Sequence, residues 1–254
     1  MGKRALFGGL YAAALIGLLG FTSYGVVILV LFTFLMLREG AIILKMESTT
    51  PTTVLAGLAM CGLAYVNFGG IQEVVLTTIG MSILLSFIFL RAEQPAREMR
   101  RGLFLIAYIW APMLLVIQKS WEFPQLILFI FVMIWASDTF AYLAGRSFGK
   151  RPLAPKLSPK KTIEGFAGGV IGTVITGGVL NYYWELVPNE IALSMALAVS
   201  ISAPLGDLVA SALKREADVK DSGVFLPGHG GALDRLDSFL TAAPVSVLIY
   251  SYLI

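Results

Sequence analysis

Acidic side chains near the C-terminal end of the sequence stand at a spacing that suits metal binding. Asp234 and Asp237 are three residues apart at the start of an apolar stretch, which puts both carboxylates on one face of a helix. Asp207 lies one connection earlier, also in an apolar stretch. Carboxylates are hard ligands for Mg²⁺, which takes one or two of them and completes its shell with water and substrate phosphates. Because unpaired acids are costly beside apolar spans, we predict that these three are metal ligands rather than parts of a solvated loop.

Basic residues accompany the acids and predict a phosphate-bearing substrate. Around the carboxylates the cations are Lys214, Arg215, Lys220 and Arg235. A second basic loop, residues 145–163, ends in Lys160 and Lys161 directly after Ser158-Pro159. Ser-Pro predicts a helix N-cap with proline at the first helical position, and a helix N-terminus beside two lysines suits phosphate groups. The alternative for this loop is a positively charged anchor on anionic lipid headgroups.

Polar residues inside apolar helices supply further candidates. Asp138 stands near the end of an apolar run, four residues before Tyr142, and we predict that it lines the site; pairing with Arg146 is the alternative. Pro204 within Ala203–Asp207 predicts a broken helix, or else a simple packing kink. Ser211 follows Asp207 by one helical turn and is predicted to share its face.

His229 is the only histidine of the chain and lies between Gly228 and Gly230-Gly231. A glycine-rich backbone can approach a phosphate closely, and the imidazole could donate a hydrogen bond to a phosphate oxygen or carry a proton. Structural support of the loop is the alternative. A single histidine without neighbouring cysteines argues against zinc.

The elements that must position these residues are membrane spans. Hydrophobic residues make up 57% of the chain and charged residues 14%, with a mean hydropathy of +0.81, whereas soluble domains are about a quarter charged. Apolar runs predict an all-α polytopic bundle of about nine spans. The runs lie near residues 5–20, 21–37, 52–66, 72–90, 102–117, 125–144, 164–184, 191–210 and 238–254. The first two are continuous, so a single tilted helix remains open there.

Loop charge predicts the orientation. With the N-terminus in the cytoplasm, every Lys and Arg except Lys119 falls in or beside a cytoplasmic loop. We therefore predict an integral membrane protein with its site facing the cytoplasm, and we expect a bacterial inner membrane as its location. Residues 1–101 read as a transmembrane scaffold without a catalytic role, and residues 102–254 as a transmembrane catalytic region with cytoplasmic loops 145–163 and 211–237.

The segment from Ser211 to Asp237 resembles the phosphatidate cytidylyltransferases, also called CDP-diacylglycerol synthases. Their pattern is matched at every specified position, including Lys214-Arg215, Lys220-Asp221, His229-Gly230-Gly231 and Asp234-Arg235-x-Asp237. Upstream blocks around Asp138, Ser158–Gly165 and Pro204–Asp207 are also similar. The resemblance is strong over residues 135–238, and before that it rests on span count and hydropathy alone.

The resemblance implies a magnesium-dependent nucleotidyltransferase that joins CTP and phosphatidate to give CDP-diacylglycerol and pyrophosphate. It associates Asp207 and Asp234 with the metal; Asp237 is added from its position, and a second cation there is left open. The predicted catalytic residues are Asp207, Asp234, Asp237, Lys214, Arg215 and His229. Those predicted to bind substrate or phosphate are Lys160, Lys161, Lys220, Arg235, Ser211 and Asp138. The predicted partners are CTP, phosphatidate and the bilayer, without nucleic acid and with a homodimer left open.

Two rival functions fit parts of the pattern. A transporter or anion channel would explain Asp138 and Asp207 as an ion pathway, but not the polar segment that ends in Asp234-Arg235-x-Asp237. A CTP-dependent lipid kinase would use similar acids and lysines on an alcohol.

Overall fold

A computed structural model describes residues 2–22, 24–66, 70–225 and 230–254. Nearly all regular structure in these ranges is helical, with one short β-hairpin formed by β1 (Pro152–Ala154) and β2 (Ser158–Thr162). The helices are α1 (Gly2–Phe21), α2 (Gly25–Ile43), α3 (Thr49–Ala64), α4 (Ile71–Phe89), α5 (Pro95–Leu105), α6 (Ala111–Glu122), α7 (Pro124–Phe148), α8 (Ile163–Trp184), α9 (Asn189–Glu216) and α10 (Leu233–Leu253).

Within the described ranges, seven helical segments are long and apolar enough to cross a membrane. They are α2, α4, the continuous Pro95–Glu122 segment, α7, α8, α9 and α10. Two shorter apolar helices, Gly8–Phe21 and Thr49–Ala64, coincide with the other two predicted runs. The prediction of an all-α polytopic membrane protein is therefore confirmed, while the count of nine and the side of the N-terminus stay predictions.

The span predicted at residues 102–117 is longer than expected. A π-helical turn at Ile106–Trp110 joins α5 to α6, so the helix runs from Pro95 to Glu122. Pro112, the second residue after this turn, has no backbone N–H, which explains why the regular hydrogen-bond ladder changes there.

Two compact units divide the chain, Met1–Glu122 with Glu216–Arg235 and Phe123–Arg215 with Leu236–Ile254. In the first unit, α2 buries Leu29, Phe32 and Met36. Phe32 also meets Phe225 edge to face, with ring centroids 5.6 Å apart. Phe225 is thereby packed against α2.

In the second unit, α8 packs on α7 through glycines. Gly165 and Gly169, four residues apart, face Ala141 and Ser137 of α7; a Cβ on Gly169 would lie 3.1 Å from the Ser137 carbonyl oxygen. Small residues at this spacing let two helix backbones approach closely in membranes. The glycines after Lys161 thus serve helix packing.

The structure corrects the predicted helix start at Ser158. Ser158–Thr162 is strand β2, and it pairs antiparallel with β1 in the register Ala154↔Ser158 and Pro152↔Thr162. Helix α8 begins at Ile163, capped by Thr162, whose Oγ1 accepts from Gly165 N at 3.1 Å. Pro159 lies in a two-stranded hairpin, where edge positions tolerate its missing N–H.

The predicted break at Pro204 is also wrong, because α9 is continuous from Asn189 to Glu216. Side chains support the backbone around the proline: Ser202 Oγ donates to the Ala198 carbonyl oxygen, and Thr241 Oγ1 donates to the Ser202 carbonyl oxygen at 2.7 Å. Neighbouring helices and hydroxyls commonly re-satisfy proline-disturbed membrane helices in this way.

Candidate active site

A cavity of about 350 Å³ lies in the second unit, between α7, the hairpin, α8 and the proline of α9. Its polar lining includes Asp138, Arg146, Lys160 and Lys161. The remaining lining residues are Ser137, Ala141, Tyr142, Gly145, Leu153, Thr162, Gly165, Phe166 and Pro204. A largely apolar cavity with a few convergent charged groups is the usual form of a small-molecule site.

Glu164 fixes the hairpin that brings the lysines to this cavity. Its Oε2 accepts from Lys150 N at 3.0 Å and from Arg151 N at 3.1 Å, while its Oε1 pairs with Arg151 Nε at 2.9 Å. These contacts tie the start of the hairpin to the first turn of α8. Lys160 remains exposed and Lys161 half-buried.

Lys161 forms an ion pair with Asp207, so the structure brings together two residues that the sequence singled out in separate motifs. Ser211 Oγ lies 3.4 Å from the other carboxylate oxygen of Asp207, as the one-turn spacing predicts. The side chains of Lys161 and Asp207 are 28% and 31% exposed. The pair therefore stays accessible to a ligand.

Asp237 and Lys214 form the buried part of this cluster. Asp237 is 8% exposed and Lys214 is 9% exposed. Asp207, Lys214 and Asp138 all interact electrostatically with the Asp237 carboxylate. Buried like charges repel one another, so this arrangement needs compensating cations. Lys214 supplies one of these cations.

Asp234 belongs to the first unit, where it organises the segment before α10. Its Oδ2 accepts from Ser222 N at 2.7 Å, Ser222 Oγ at 3.0 Å and Gly231 N at 2.9 Å. Gly230 has φ +77°, and a Cβ there would lie 2.6 Å from that oxygen, so this turn needs glycine.

Three further predicted residues of these segments are exposed to solvent. Lys220 and Arg235 are exposed in the first unit, and Arg215 is exposed at the end of α9. His229 lies outside the described residues, and its predicted role stays a prediction.

Glu39 of α2 is a polar residue that the sequence reading missed. It is 7% exposed, and its carboxylate accepts from Ser222 Oγ, Ala232 N and Leu233 N. The available signal was a carboxylate inside an apolar run, which by default marks a functional position. Nothing in the local spacing pointed to partners so distant in sequence.

Residues 3–253 match the model of the cytidylyltransferase family. The chain belongs to this family. It is similar to the phosphatidate cytidylyltransferase of Bacillus subtilis strain 168, at 51% identity over 114 residues that cover 44% of this chain and 42% of the relative. The same-named proteins of Staphylococcus epidermidis RP62A and Staphylococcus aureus COL are 42% and 43% identical over 141 residues, covering 55% of this chain and 54% of each relative. The aligned part of the chain thus spans about half the length of these curated relatives.

The family match confirms the resemblance read from residues 135–238 and extends it. It includes the N-terminal helices, where the sequence alone offered only hydropathy. Glu39 therefore lies within the part of the chain that matches the family model.

The chemistry of the carboxylates fits a magnesium ion. Among the described residues, no three His, Cys, Asp or Glu side chains are grouped as a complete metal cage would need. Magnesium does not require such a cage, since one or two carboxylates with water and substrate phosphates suffice. Asp207 and Asp237 of the second unit, which interact electrostatically, offer that number of hard oxygen donors.

Proposed function

We propose that this chain transfers the cytidylyl group of CTP to phosphatidate and releases pyrophosphate. An oxygen of the phosphatidate phosphate attacks the α-phosphorus of CTP; the new P–O bond gives CDP-diacylglycerol, and the bond to the oxygen that bridges to the β-phosphorus breaks. The observation that carries the proposal is the accessible Lys161–Asp207 pair beside a cavity with Lys160 and Arg146, in a chain of the cytidylyltransferase family. The activity named for its relatives gives the reaction.

The residues of the site would act by positioning and by neutralising charge. Transfer at phosphorus involves little covalent chemistry by the protein, so lysine and arginine clamps can supply much of the catalysis. Lys160, Lys161 and Arg146 would hold substrate phosphates at the cavity, while its apolar lining would exclude water. Lys214 would offset the charge of the buried Asp237.

We propose Mg²⁺ as the cofactor, with Asp207, Asp234 and Asp237 as its candidate ligands, of which one or two would bind an ion together with water and substrate phosphates. When bound, the ion would neutralise phosphate charge and polarise the phosphoryl oxygens. Asp207 would be available because its present partner, Lys161, can turn to a substrate phosphate. A second cation at Asp237 belongs to the same proposal.

We also propose that the N-terminus and the site face the cytoplasm of a bacterial inner membrane, across about nine spans. The charge of the loops supports this orientation, and it places the site where CTP is made. Phosphatidate would enter from the bilayer, so both substrates would meet at headgroup depth.

The proposed reaction is tested by following which phosphate of labelled CTP enters the lipid product. Detergent-solubilised protein is incubated with phosphatidate, Mg²⁺ and CTP labelled in either the α- or the γ-phosphate. We expect the α-label in the lipid product and the γ-label in pyrophosphate. Diacylglycerol replaces phosphatidate in the matched control and should give no labelled lipid.

The opposite label pattern would replace the proposal with another function. A lipid kinase would move the γ-label onto an alcohol and release CDP, and a transporter would incorporate neither label. Lipid that carries γ-label, or unlabelled lipid from folded protein, would refute cytidylyl transfer.

A further inference from the structure

Glu39 is a buried carboxylate in an apolar helix, and the hydrogen-bond partners described for it are Ser222 and two residues at the start of α10. Residues Met36, Leu37 and Ala41 on the same helix are buried and apolar. A carboxylate in such surroundings is costly unless hydrogen bonds satisfy it. Ser222 Oγ donates to Oε2 at 2.7 Å, Leu233 N to Oε2 at 2.9 Å, and Ala232 N to Oε1 at 2.9 Å.

The two backbone donors belong to the N-terminus of α10. Helix α10 begins at Leu233, so the amides of Ala232 and Leu233 have no acceptor within the helix. A carboxylate at this end also interacts favourably with the helix dipole. Glu39 therefore caps α10 from a helix 194 residues away in sequence.

Two glycines make room for this cap. A Cβ on Gly223 would lie 2.8 Å from Oε1 of Glu39, and a Cβ on Gly231 would overlap both Glu39 and Ser222. Gly231 is the last glycine of the His229-Gly230-Gly231 motif. Its packing against Glu39 explains why this position suits glycine without any ligand contact.

Ser222 links Glu39 to Asp234. Its hydroxyl lies 2.7 Å from Oε2 of Glu39 and 3.0 Å from Oδ2 of Asp234, and its backbone N–H also donates to Asp234. One hydroxyl has one proton, so the two carboxylates share a single donor. The orientation of Asp234 thus depends on a side chain that Glu39 holds.

We propose that Glu39 is a positioning residue, which sets the orientation of Asp234 for magnesium and CTP by capping α10 and holding Ser222. The inference rests on the proposed function, because it assigns Asp234 to the metal. It also gives the N-terminal helices a part in the reaction, in contrast to the scaffold role predicted for residues 1–101.

Glu39→Gln is the test variant, and Glu98→Gln is its matched control. Glutamine at position 39 keeps the shape of the side chain but has one accepting oxygen in place of two, so at least one donor loses its partner. Glu98 is a buried carboxylate of the same unit, and both Ser48 donors meet its single oxygen Oε1. Glutamine can satisfy both donors there, so the same substitution should be mild.

The magnesium dependence of activity distinguishes the two roles, because it would not change if Glu39 only stabilised the fold. We expect Glu39→Gln to raise the half-saturating magnesium concentration and lower kcat by about 10–100-fold, as substitutions behind metal ligands commonly do. Glu98→Gln should match the wild type. Equal magnesium half-saturation in the wild type and Glu39→Gln would overturn the inference, as would equal losses in both variants.

Amide hydrogen exchange tests the contact without relying on activity. Peptides that cover residues 230–240 should exchange at least about tenfold faster in Glu39→Gln than in the wild type, because a charge-assisted hydrogen bond is lost. Glu98→Gln should leave these peptides unchanged, and unchanged exchange in Glu39→Gln would refute the cap. If the contrast holds but wild-type protein transfers no cytidylyl group, the proposed function fails while the cap stands.

Ser222→Ala serves if Glu39→Gln does not fold. It removes the hydroxyl between the two carboxylates and keeps the backbone N–H bond to Asp234. A raised magnesium half-saturation in Ser222→Ala would support the link, and a wild-type value would oppose it.

Discussion

Asp207 interacts with three other residues of the second unit. It pairs with Lys161, accepts from Ser211 and interacts with the buried Asp237. A carboxylate that is both paired and accessible can exchange its lysine for a metal ion when substrate phosphates arrive to take the lysine. The ion pair is partly solvated, so its contribution to stability is small. The ion pair would instead hold the Lys161 and Asp207 side chains in place before substrate binds.

Asp207→Asn should therefore abolish activity while the protein still folds. Asparagine keeps the size of the side chain but loses the charge that a cation and Lys161 need, so we expect kcat/KM to fall by at least about 100-fold. Initial rates with α-labelled CTP give the measurement, and thermal unfolding in detergent checks the fold. Asp218→Asn is the control, because Asp218 is exposed and asparagine tolerates its positive φ of 58°. Near-normal turnover of Asp207→Asn in saturating magnesium would contradict the ligand role.

The sequence could predict a contact between two site residues where both lie on one helix at a helical spacing. Asp207 and Ser211 stand one turn apart in α9, and the structure brings them together. The pairing of Lys161 with Asp207 could not be read in this way, because it depends on how the hairpin folds against α9. Glu39 was missed for the same reason: it meets Ser222 across 183 residues of sequence.

At the scale of elements, α9 and α10 meet closely in the second unit. A Cβ on Gly206 would collide with the Asp237 carbonyl oxygen and with Thr241 Oγ1. Thr241 in turn donates to the Ser202 carbonyl oxygen beside Pro204. The sequence motif around Pro204 and Gly206 therefore brings the backbones of two helices together, where a broken helix was predicted. Propensity alone favours a break at proline, and the hydrogen bonds of Ser202 and Thr241 explain its absence.

Gly206→Ala tests this packing. The added methyl group should force α9 and α10 apart and destabilise the protein by about 1–3 kcal/mol, as overpacking commonly does. The Tm in detergent should fall, and activity should fall with it because Asp207 and Asp237 lie at this contact. Gly178→Ala of α8 is the matched control, since a Cβ there meets nothing within 4 Å. Equal Tm values for the two variants would show that the close approach is unimportant.

The hairpin was the element least accessible to sequence reading. Ser158-Pro159 satisfies the pattern of a helix start, but Thr162 caps α8 instead. Both starts obey local rules, and the pairing of β2 with β1 decides between them. The consequence for the site is that Lys160 and Lys161 lie on a strand at the cavity, not in the first turn of a helix.

At the scale of the whole molecule, composition predicted the fold class because few other structures can hold so many apolar residues. Seven helical segments in the described ranges qualify as membrane spans, and every predicted apolar run overlaps a helix. The predicted sidedness depends on the charge of the loops, which acts during insertion and is not a property of helix packing.

Single cysteines at exposed positions in loops or at helix ends test the predicted sidedness. Cys61 is exposed and is first replaced by alanine. Ser147→Cys, in the exposed last turn of α7, and Val224→Cys then mark the two predicted basic loops. Val224 is 88% exposed, whereas the neighbouring Ser222 is buried and unsuitable. A membrane-impermeant maleimide should label both only after the cells are permeabilised, because the positively charged loops stay in the cytoplasm. Glu190→Cys, in the exposed first turn of α9 beside the acidic connection from α8, is the matched control and should react in intact cells. Labelling of Val224→Cys from outside, with Glu190→Cys protected, would reverse the orientation and place the site away from cytoplasmic CTP.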